Sequence, residues 1–270
     1  MAVIAKIEIQ KRNKGRYNIF LSKGQKTEYA LSVDEDLLLK YGLTKGLEID
    51  EDQLIKLIDE DEKKKAYNLA IHYLSYRPRS ILEMRQYLEK KEKEPRHIDQ
   101  VLDHLVNQRL LNDEEFASAY IRSKRLTLMK GPLKLKQELK QKGVNDSIID
   151  KALQSYSVLE QIDQLAKWLE KQQTKRSNKL SINAFKDKLS TQLLAKGFSH
   201  QVIVEAFKLI DFQSEQIEEW EAICFQGEKI RRKYENKYTG WEYWQRVKQN
   251  LYRKGFSMEL IDRYIEEEGG

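Results

Sequence analysis

A short string, Leu-x-x-Lys-Gly-apolar, occurs three times in the second half of this chain and constrains its architecture more than any other feature. The copies are LKQKGV (139–144), LLAKGF (193–198) and LYRKGF (251–256), and each leads into a polar residue and then a paired apolar set. A degraded copy, MRQYLEKKEKEPRHIDQVL (84–102), lies upstream, with Leu88 aligned to Leu139, Leu193 and Leu251 and with Glu92 where the glycine would stand. The period is about fifty residues, which marks a tandem array of supersecondary units. Glycine can take the left-handed conformation that ends a helix, at a cost other residues pay in strain. Val144 then falls at N′, Asn145 caps the next helix and Ile149 falls at N4, the spacing of a hydrophobic staple. Phe198, Ser199 and Ile203 repeat this arrangement, as do Phe256, Ser257 and Ile261. In the upstream copy Glu94 would be the cap and Pro95 the N1 residue, where a missing N–H does no harm.

A further helix precedes each joint. Asn112 and Glu115 have the spacing of a capping box, with Leu111 stapled to Phe116. Apolar stripes are expected at Tyr67, Ala70, Ile71 and Leu74, then at Phe116, Ala119, Tyr120 and Ser123. The third and fourth stripes are Ile162, Leu165, Ala166, Leu169 and Ile217, Trp220, Ile223, Cys224. Three short helices bury their apolar faces poorly alone, so units of this size stack on their neighbours. Loops are expected at 76–80, 129–132, 172–181 and 238–240. The expected fold is mainly α, with tandem three-helix repeats in a curved elongated array. The repeats span 63–110, 111–156, 157–212 and 213–270, behind a small β-containing head at 1–62.

In the head, Ile4, Ile7 and Ile9, then Tyr17, Ile19 and Leu21, then Tyr29, Leu31 and Val33 alternate with polar neighbours. With SKGQKT (22–27) as a turn, they predict an antiparallel meander. Asp34 caps a short helix that ends at Gly42, and a second short helix is expected over 51–58. Residues 48–62 hold eight acids against Lys56 alone. That run reads as a solvated surface, or as an acidic lobe that restrains a basic partner segment.

Net charge is +6 over 270 residues, and the excess sits in one place. Residues 122–142 carry eight cations, Arg122, Lys124, Arg125, Lys130, Lys134, Lys136, Lys140 and Lys142, against Glu138 as the only acid. Lys130 and Lys134 flank a Gly131–Pro132 helix start, where the helix dipole disfavours positive charge. Something else must favour cations there: phosphates, or an acidic protein surface, against the plainer reading of a solvated face. Arg77 and Arg79 flank Pro78 in the matching loop of the first unit and join the candidate set of Arg122, Lys124, Arg125, Lys130, Lys134, Lys136 and Lys140. Trp241, Tyr243 and Trp244 read as core rather than as a base-stacking platform.

Catalysis finds little support. The four histidines, His72, His97, His104 and His200, are scattered, and no third ligand joins His97 and His104. Cys224 lies in an apolar stripe as an inert thiol and, being the only cysteine, points to a reducing cytoplasm. Neither a phosphate loop nor a Gly-x-Gly-x-x-Gly fingerprint occurs. No apolar run approaches the length of a membrane span, and the start, MAVIAKIEIQKRNK, has no secretory signal character. The expectation is therefore a non-enzyme without cofactor or metal.

AYNLAIHYLSYRPRS (66–80), RLLNDEEFASAYIRSKR (109–125) and KGPLKLKQELKQKGV (130–144) closely resemble the RecX family of regulatory proteins. The start KIEIQKRNKGRYNIFL is similar to that of the longer form found in low-GC Gram-positive bacteria. The resemblance implies a cytoplasmic, non-enzymatic modulator of the RecA recombinase. Such proteins lodge along the groove of RecA–single-stranded DNA filaments, limit extension or promote disassembly, and so inhibit ATP hydrolysis, strand exchange and coprotease activity. The family's basic residues match here at Arg122, Lys124, Arg125, Lys130, Lys134 and Lys136, and Glu92 departs from the joint glycine. From the residues alone, a general single-stranded DNA or RNA binder and a purely protein-binding scaffold stay open beside this. A monomer is expected.

Overall fold

Alternation of apolar residues builds the sheet that opens the chain. Strands β1 (Ala2–Ile9), β2 (Arg16–Lys23) and β3 (Lys26–Asp34) form the antiparallel meander, and a short β4 (Glu48–Ile49) gives the order β3-β2-β1-β4. The computed structural model describes residues 2–23, 26–175, 177, 179–210, 212 and 216–269. The tip of the expected turn at 24–25, two positions of the 172–181 loop (176 and 178) and the start of the fourth expected repeat lie outside the described residues. Ile4, Ile19, Leu21, Leu31 and Val33 face inward and close a core with Leu37, Leu43, Ile49 and Leu57. Asp34 caps α1 (Glu35–Lys40) by accepting from Asp36 N, and Gly42 follows at φ +56°.

Helix α2 corrects one expectation. It runs unbroken from Glu51 to Tyr76, with a capping box at Asp50 and Gln53, where a helix ending near residue 58 was expected. No Gly or Pro interrupts this stretch, and its acid run is matched by cations from outside the helix. Arg16 Nη2 lies 2.7 Å from the buried Asp61 carboxylate, and Lys40 Nζ lies 2.7 Å from Glu60. Lys93 Nζ lies 3.0 Å from Glu62, while Arg96 and His97 both reach Asp59. Four of the eight acids, Asp59 to Glu62, thus tie the head to the first helical unit, while Glu48, Asp50, Glu51 and Asp52 are exposed as a solvated surface.

Eleven further helices follow among the described residues, beginning with α3 (Ile81–Lys90), α4 (Pro95–Asn107), α5 (Asp113–Thr127), α6 (Pro132–Gln141) and α7 (Asp146–Leu153). After them come α8 (Val158–Gln173), α9 (Ile182–Ala195), α10 (His200–Lys208), α11 (Gln216–Tyr234), α12 (Gly240–Arg253) and α13 (Met258–Gly269). Leu88, Leu139, Leu193 and Leu251, aligned by the repeat, are all fully buried, as are the staple residues Ile149, Ile203 and Ile261. Each such leucine is worth about 2–5 kcal/mol against truncation to alanine. One stripe is rotated from expectation. In α5 the buried residues are Phe116, Ala117 and Ile121, with Ser123 exposed, whereas in α11 Ile223 is buried, Trp220 and Cys224 pack against the core, and Ile217 alone of the expected stripe is exposed. In α5 the β-branched Ile121, one position along from Tyr120, takes the inward place. Glu94 makes no side-chain cap to α4 and pairs instead with Arg96.

By compactness the chain divides into Met1–Ala119 with Lys140–Ile148, and Tyr120–Leu139 with Ile149–Gly270. Within each unit the same device joins one joint to the helix start of the preceding repeat. In the first, Ser80 both caps α3 and donates through Oγ to the Lys142 carbonyl at 2.7 Å, just before Gly143. In the second, Ser181 Oγ donates to the Lys254 carbonyl at 2.5 Å, just before Gly255. Between Gly131 and Gly197 there is no side chain to do this, and the Gly131 N–H itself donates to the Lys196 carbonyl at 2.9 Å. The carbonyls at the end of one helix are thus satisfied by the start of another.

The approach is so close that the joint glycines cannot be replaced. A Cβ at Gly197 would stand 2.3 Å from Lys134 N, and one at Gly143 would stand 2.6 Å from Leu82 Cβ. Both glycines also have positive φ, +89° and +77°. Glu92 holds the same left-handed conformation, φ +56°, at the first joint. The expected outcome is that Gly197→Ala costs about 3 kcal/mol or more, whereas Glu92→Gly changes stability by about 1 kcal/mol or less. Urea unfolding of the three chains checks this.

Candidate functional site

The basic segment begins on the last turns of α5, crosses a short loop and occupies most of α6. The structure divides its cations by what each one meets. Arg125 is turned inward: Nη1 donates to the Ser155 carbonyl at 3.0 Å and to Glu160 at 3.3 Å, over the Tyr156 ring. Lys130 is paired with Glu138, which also accepts from Tyr120 OH at 2.8 Å. Lys136 pairs with Asp150, and Lys140 lies 2.8 Å from Asp146. Most of the expected site is therefore neutralised within the fold, and the dipole problem at Lys130 has an internal answer in Glu138.

What remains makes no ion pair among the described residues. Arg122 is exposed on α5, Lys124 lies 5.6 Å from the Tyr120 ring centroid, and Lys134 bonds Gln137 at 3.4 Å and adds to the positive charge around Glu138. The first-unit arginines split in the same way. Arg77 forks onto Glu83 at 3.1 and 3.2 Å, and Glu83 also accepts from Lys142 at 2.6 Å. Arg79 lies 3.7 Å over Tyr73, which stacks on Tyr87 with centroids 3.9 Å apart, and its buried Nε has no hydrogen-bond partner. Arg77, Arg79 and Lys140 belong to one compact unit, and Arg122, Lys124, Arg125, Lys130, Lys134 and Lys136 to the other.

Two carboxyls report the strength of these pairings. Burial pushes Glu138 up, but hydrogen bonds from Lys130 and Tyr120 more than reverse this and leave it below the ordinary glutamate range. Burial likewise pushes Glu83 up, and Arg77 and Lys142 bring it below that range. Among the described residues no group of three or more His, Cys, Asp or Glu side chains is placed to hold a metal ion, and no helix is long and apolar enough to cross a membrane.

Sequence reasoning missed Lys196, Leu128, Leu133 and Leu194. Lys196 Nζ donates to the Leu128 carbonyl at 3.2 Å, and the three leucines are exposed around it. Lys196 belongs to the joint string itself, where its lysine reads as a helix C-terminal cation and nothing more. Exposed leucines at helix ends carry no signal in one sequence, because an apolar residue is assigned inward by default.

Residues 2–50 match the model described as regulatory protein RecX N-terminal domain. Residues 66–105, 112–153 and 217–265 match those described as the first, second and third three-helix domains of RecX. The chain is 54% identical over 267 residues to regulatory protein RecX of Halalkalibacterium halodurans, covering 99% of this chain and all of that one. It is 42% identical over 273 residues to regulatory protein RecX of Bacillus cytotoxicus, covering both chains in full. A crystal structure of regulatory protein RecX is similar with a TM-score of 0.61 at 33% identity, over 77% of this chain and all of that one. RecX from Lactobacillus salivarius gives a TM-score of 0.52 at 29% identity, over 57% of this chain and 99% of that one.

Because Glu83 and Glu138 are held lower in the folded chain than in the unfolded one, their contribution is complete above the ordinary glutamate value of 4.5 and is lost as pH falls through their lowered values. Glu83→Gln/Glu138→Gln is expected to be less stable than the parent at pH 7, with the difference shrinking towards about pH 3. Denaturant unfolding across that range checks it. Lys130→Glu should lower the thermal midpoint on the order of 5 °C by stranding Glu138, and Arg122→Glu or Lys134→Glu should move it by no more than about 2 °C, as circular dichroism would show.

Proposed function

The chain belongs to the RecX family of regulatory proteins, and from that premise we propose that it modulates the RecA recombinase by binding RecA–single-stranded DNA filaments. It lodges in the filament groove, limits extension, and so inhibits ATP hydrolysis, strand exchange and coprotease activity. It acts in the cytoplasm as a monomer and without cofactor, metal or catalysis. The family-level role, a regulator rather than an enzyme, rests on relatives that carry that name over their full length.

The observation that supports the site is the remainder left after internal pairing: Arg122, Lys124 and Lys134 outside any ion pair among the described residues, on a segment whose other cations are matched. A protein that needed positive charge only for solubility has no reason to concentrate it beside Glu138 alone. Tandem helical units suit a filament because several weak contacts on one chain add through effective concentration. Arg79, set on the Tyr73–Tyr87 stack, supplies a second and separate cation to this role.

Titrating the protein into a RecA ATPase assay on single-stranded DNA tests the reading. Strong inhibition is expected well below one chain per RecA, and inhibition only near saturation of the DNA would instead mark simple competition for the strand. Arg122→Glu/Lys124→Glu/Lys134→Glu should raise the half-inhibitory concentration roughly tenfold or more, while Lys140→Glu stays within about threefold of the parent. Equal inhibition by the parent and the triple variant sinks the assignment of the site.

A further inference from the structure

Around the Lys196–Gly197 joint the fold gathers cations and exposed leucines from two stretches that hold no acid. Residues 122–137 and 188–204 contain neither Asp nor Glu. They meet through backbone: Gly131 N donates to the Lys196 carbonyl at 2.9 Å, Leu133 N to the Gly197 carbonyl at 3.0 Å, and Lys196 Nζ to the Leu128 carbonyl at 3.2 Å. Leu128, Leu133 and Leu194 are 46%, 62% and 47% exposed at this junction. Lys124 is bonded to it through its carbonyl, which accepts from Leu128 N, and Lys134 follows Leu133 on α6.

A single exposed leucine needs no explanation. Three at one junction, on a loop whose backbone is fixed by cross-bonds, form a presented surface. Met129, between Leu128 and Lys130, is held at φ +49°, a conformation costing a residue with a side chain about 1–2 kcal/mol. Such strain persists where the surroundings over-determine it, and here it fixes how the loop turns. The surface is therefore set before any partner arrives, which lowers the ordering cost of binding.

The chemistry of this surface selects its occupant. DNA phosphates reward the lysines and leave the leucines with nothing to meet. A protein segment with apolar residues bordered by carboxylates satisfies both. We propose that Leu128, Leu133 and Leu194, bordered by Lys124, Lys134 and Lys196, dock an acidic, apolar-bearing segment of the protein partner rather than the DNA. This rests on the filament-binding reading above and assigns the protein side of that contact.

The experiment compares the full chain with Leu128→Ser/Leu133→Ser/Leu194→Ser for binding to RecA–single-stranded DNA filaments, to RecA without DNA, to a single-stranded oligonucleotide alone and to phosphatidylglycerol vesicles. The expected result is a loss of roughly tenfold or more on filaments and on RecA, with oligonucleotide and vesicle binding unchanged. Filament affinity equal to the parent's overturns the proposal. So does a parallel loss on the oligonucleotide or on vesicles, which would make the surface a reader of DNA or lipid. Should the triple variant melt lower, Leu133→Ser alone, at the most exposed position, decides by the same readouts with an expected loss of roughly threefold or more. If the parent chain leaves RecA activity untouched, the filament-binding reading fails and this contact with it. If the parent inhibits and the leucine variants inhibit equally, only the docking surface falls.

Discussion

The whole helical part depends on one contact, the carbonyl just before each joint glycine meeting the first turn of the preceding repeat. A helix end leaves carbonyls without partners and a helix start leaves N–H groups without partners, so burying either alone is costly. At Lys142, Lys196 and Lys254 the two needs are brought together: the carbonyl accepts from Ser80, Gly131 N and Ser181 respectively. The contact brings the preceding helix start so close that a Cβ at the joint would run into Leu82, Lys134 or Ser181. Glycine is therefore fixed twice over, by its positive φ and by what lies against it. The repeat string in the sequence is the record of this packing.

The same accounting governs charge. Eight acids in the head and eight cations at 122–142 look like two opposed patches, yet the fold pairs half of the acids and most of the cations locally. Asp59, Glu60, Asp61 and Glu62 are matched by Arg96, Lys40, Arg16 and Lys93, all within the first unit. Lys130, Lys136 and Lys140 are matched by Glu138, Asp150 and Asp146. Those of these pairs that are exposed, such as Lys140–Asp146, add little stability each, but all of them change which charges a partner can use. Net charge along a sequence thus overstates a binding patch. The cations to consider are those left over once the nearby carboxylates have been assigned.

This explains what was and was not legible. The leucines, the joint glycines and the caps at Ser199, Ser257 and Asn145 were readable because each follows from local spacing. The meander followed from alternation of period two. The length of α2 was not readable, because a run of acids looks unfavourable until Arg16, Lys40 and Lys93 are placed against it. The division of the basic segment was hidden for the same reason: Asp150 and Glu160 lie far from their partners in sequence. The rotated stripe of α5 shows a different limit, since a candidate face containing Tyr120 scores as well as the true one until neighbours choose between them.

The ends of the repeat series show how the device is closed. No repeat precedes the first joint, so nothing has to approach it as closely as backbone approaches Gly197, and Glu92 is tolerated there at φ +56°. Its closing bond is nonetheless the same, Lys93 N to the Leu88 carbonyl, as Phe198 N to Leu193 and Phe256 N to Leu251. What supports this joint is the head. Glu62 holds Lys93, and Asp59 takes His97 at 2.8 Å together with Arg96, so α2 acids occupy the position that a helix start occupies elsewhere. At the other end, Thr239 makes no side-chain cap and a Cβ at Gly240 would meet nothing within 4 Å among the described residues. The departures from the repeat fall at its first joint and its last helix start, where the packing rule that fixes glycine no longer applies.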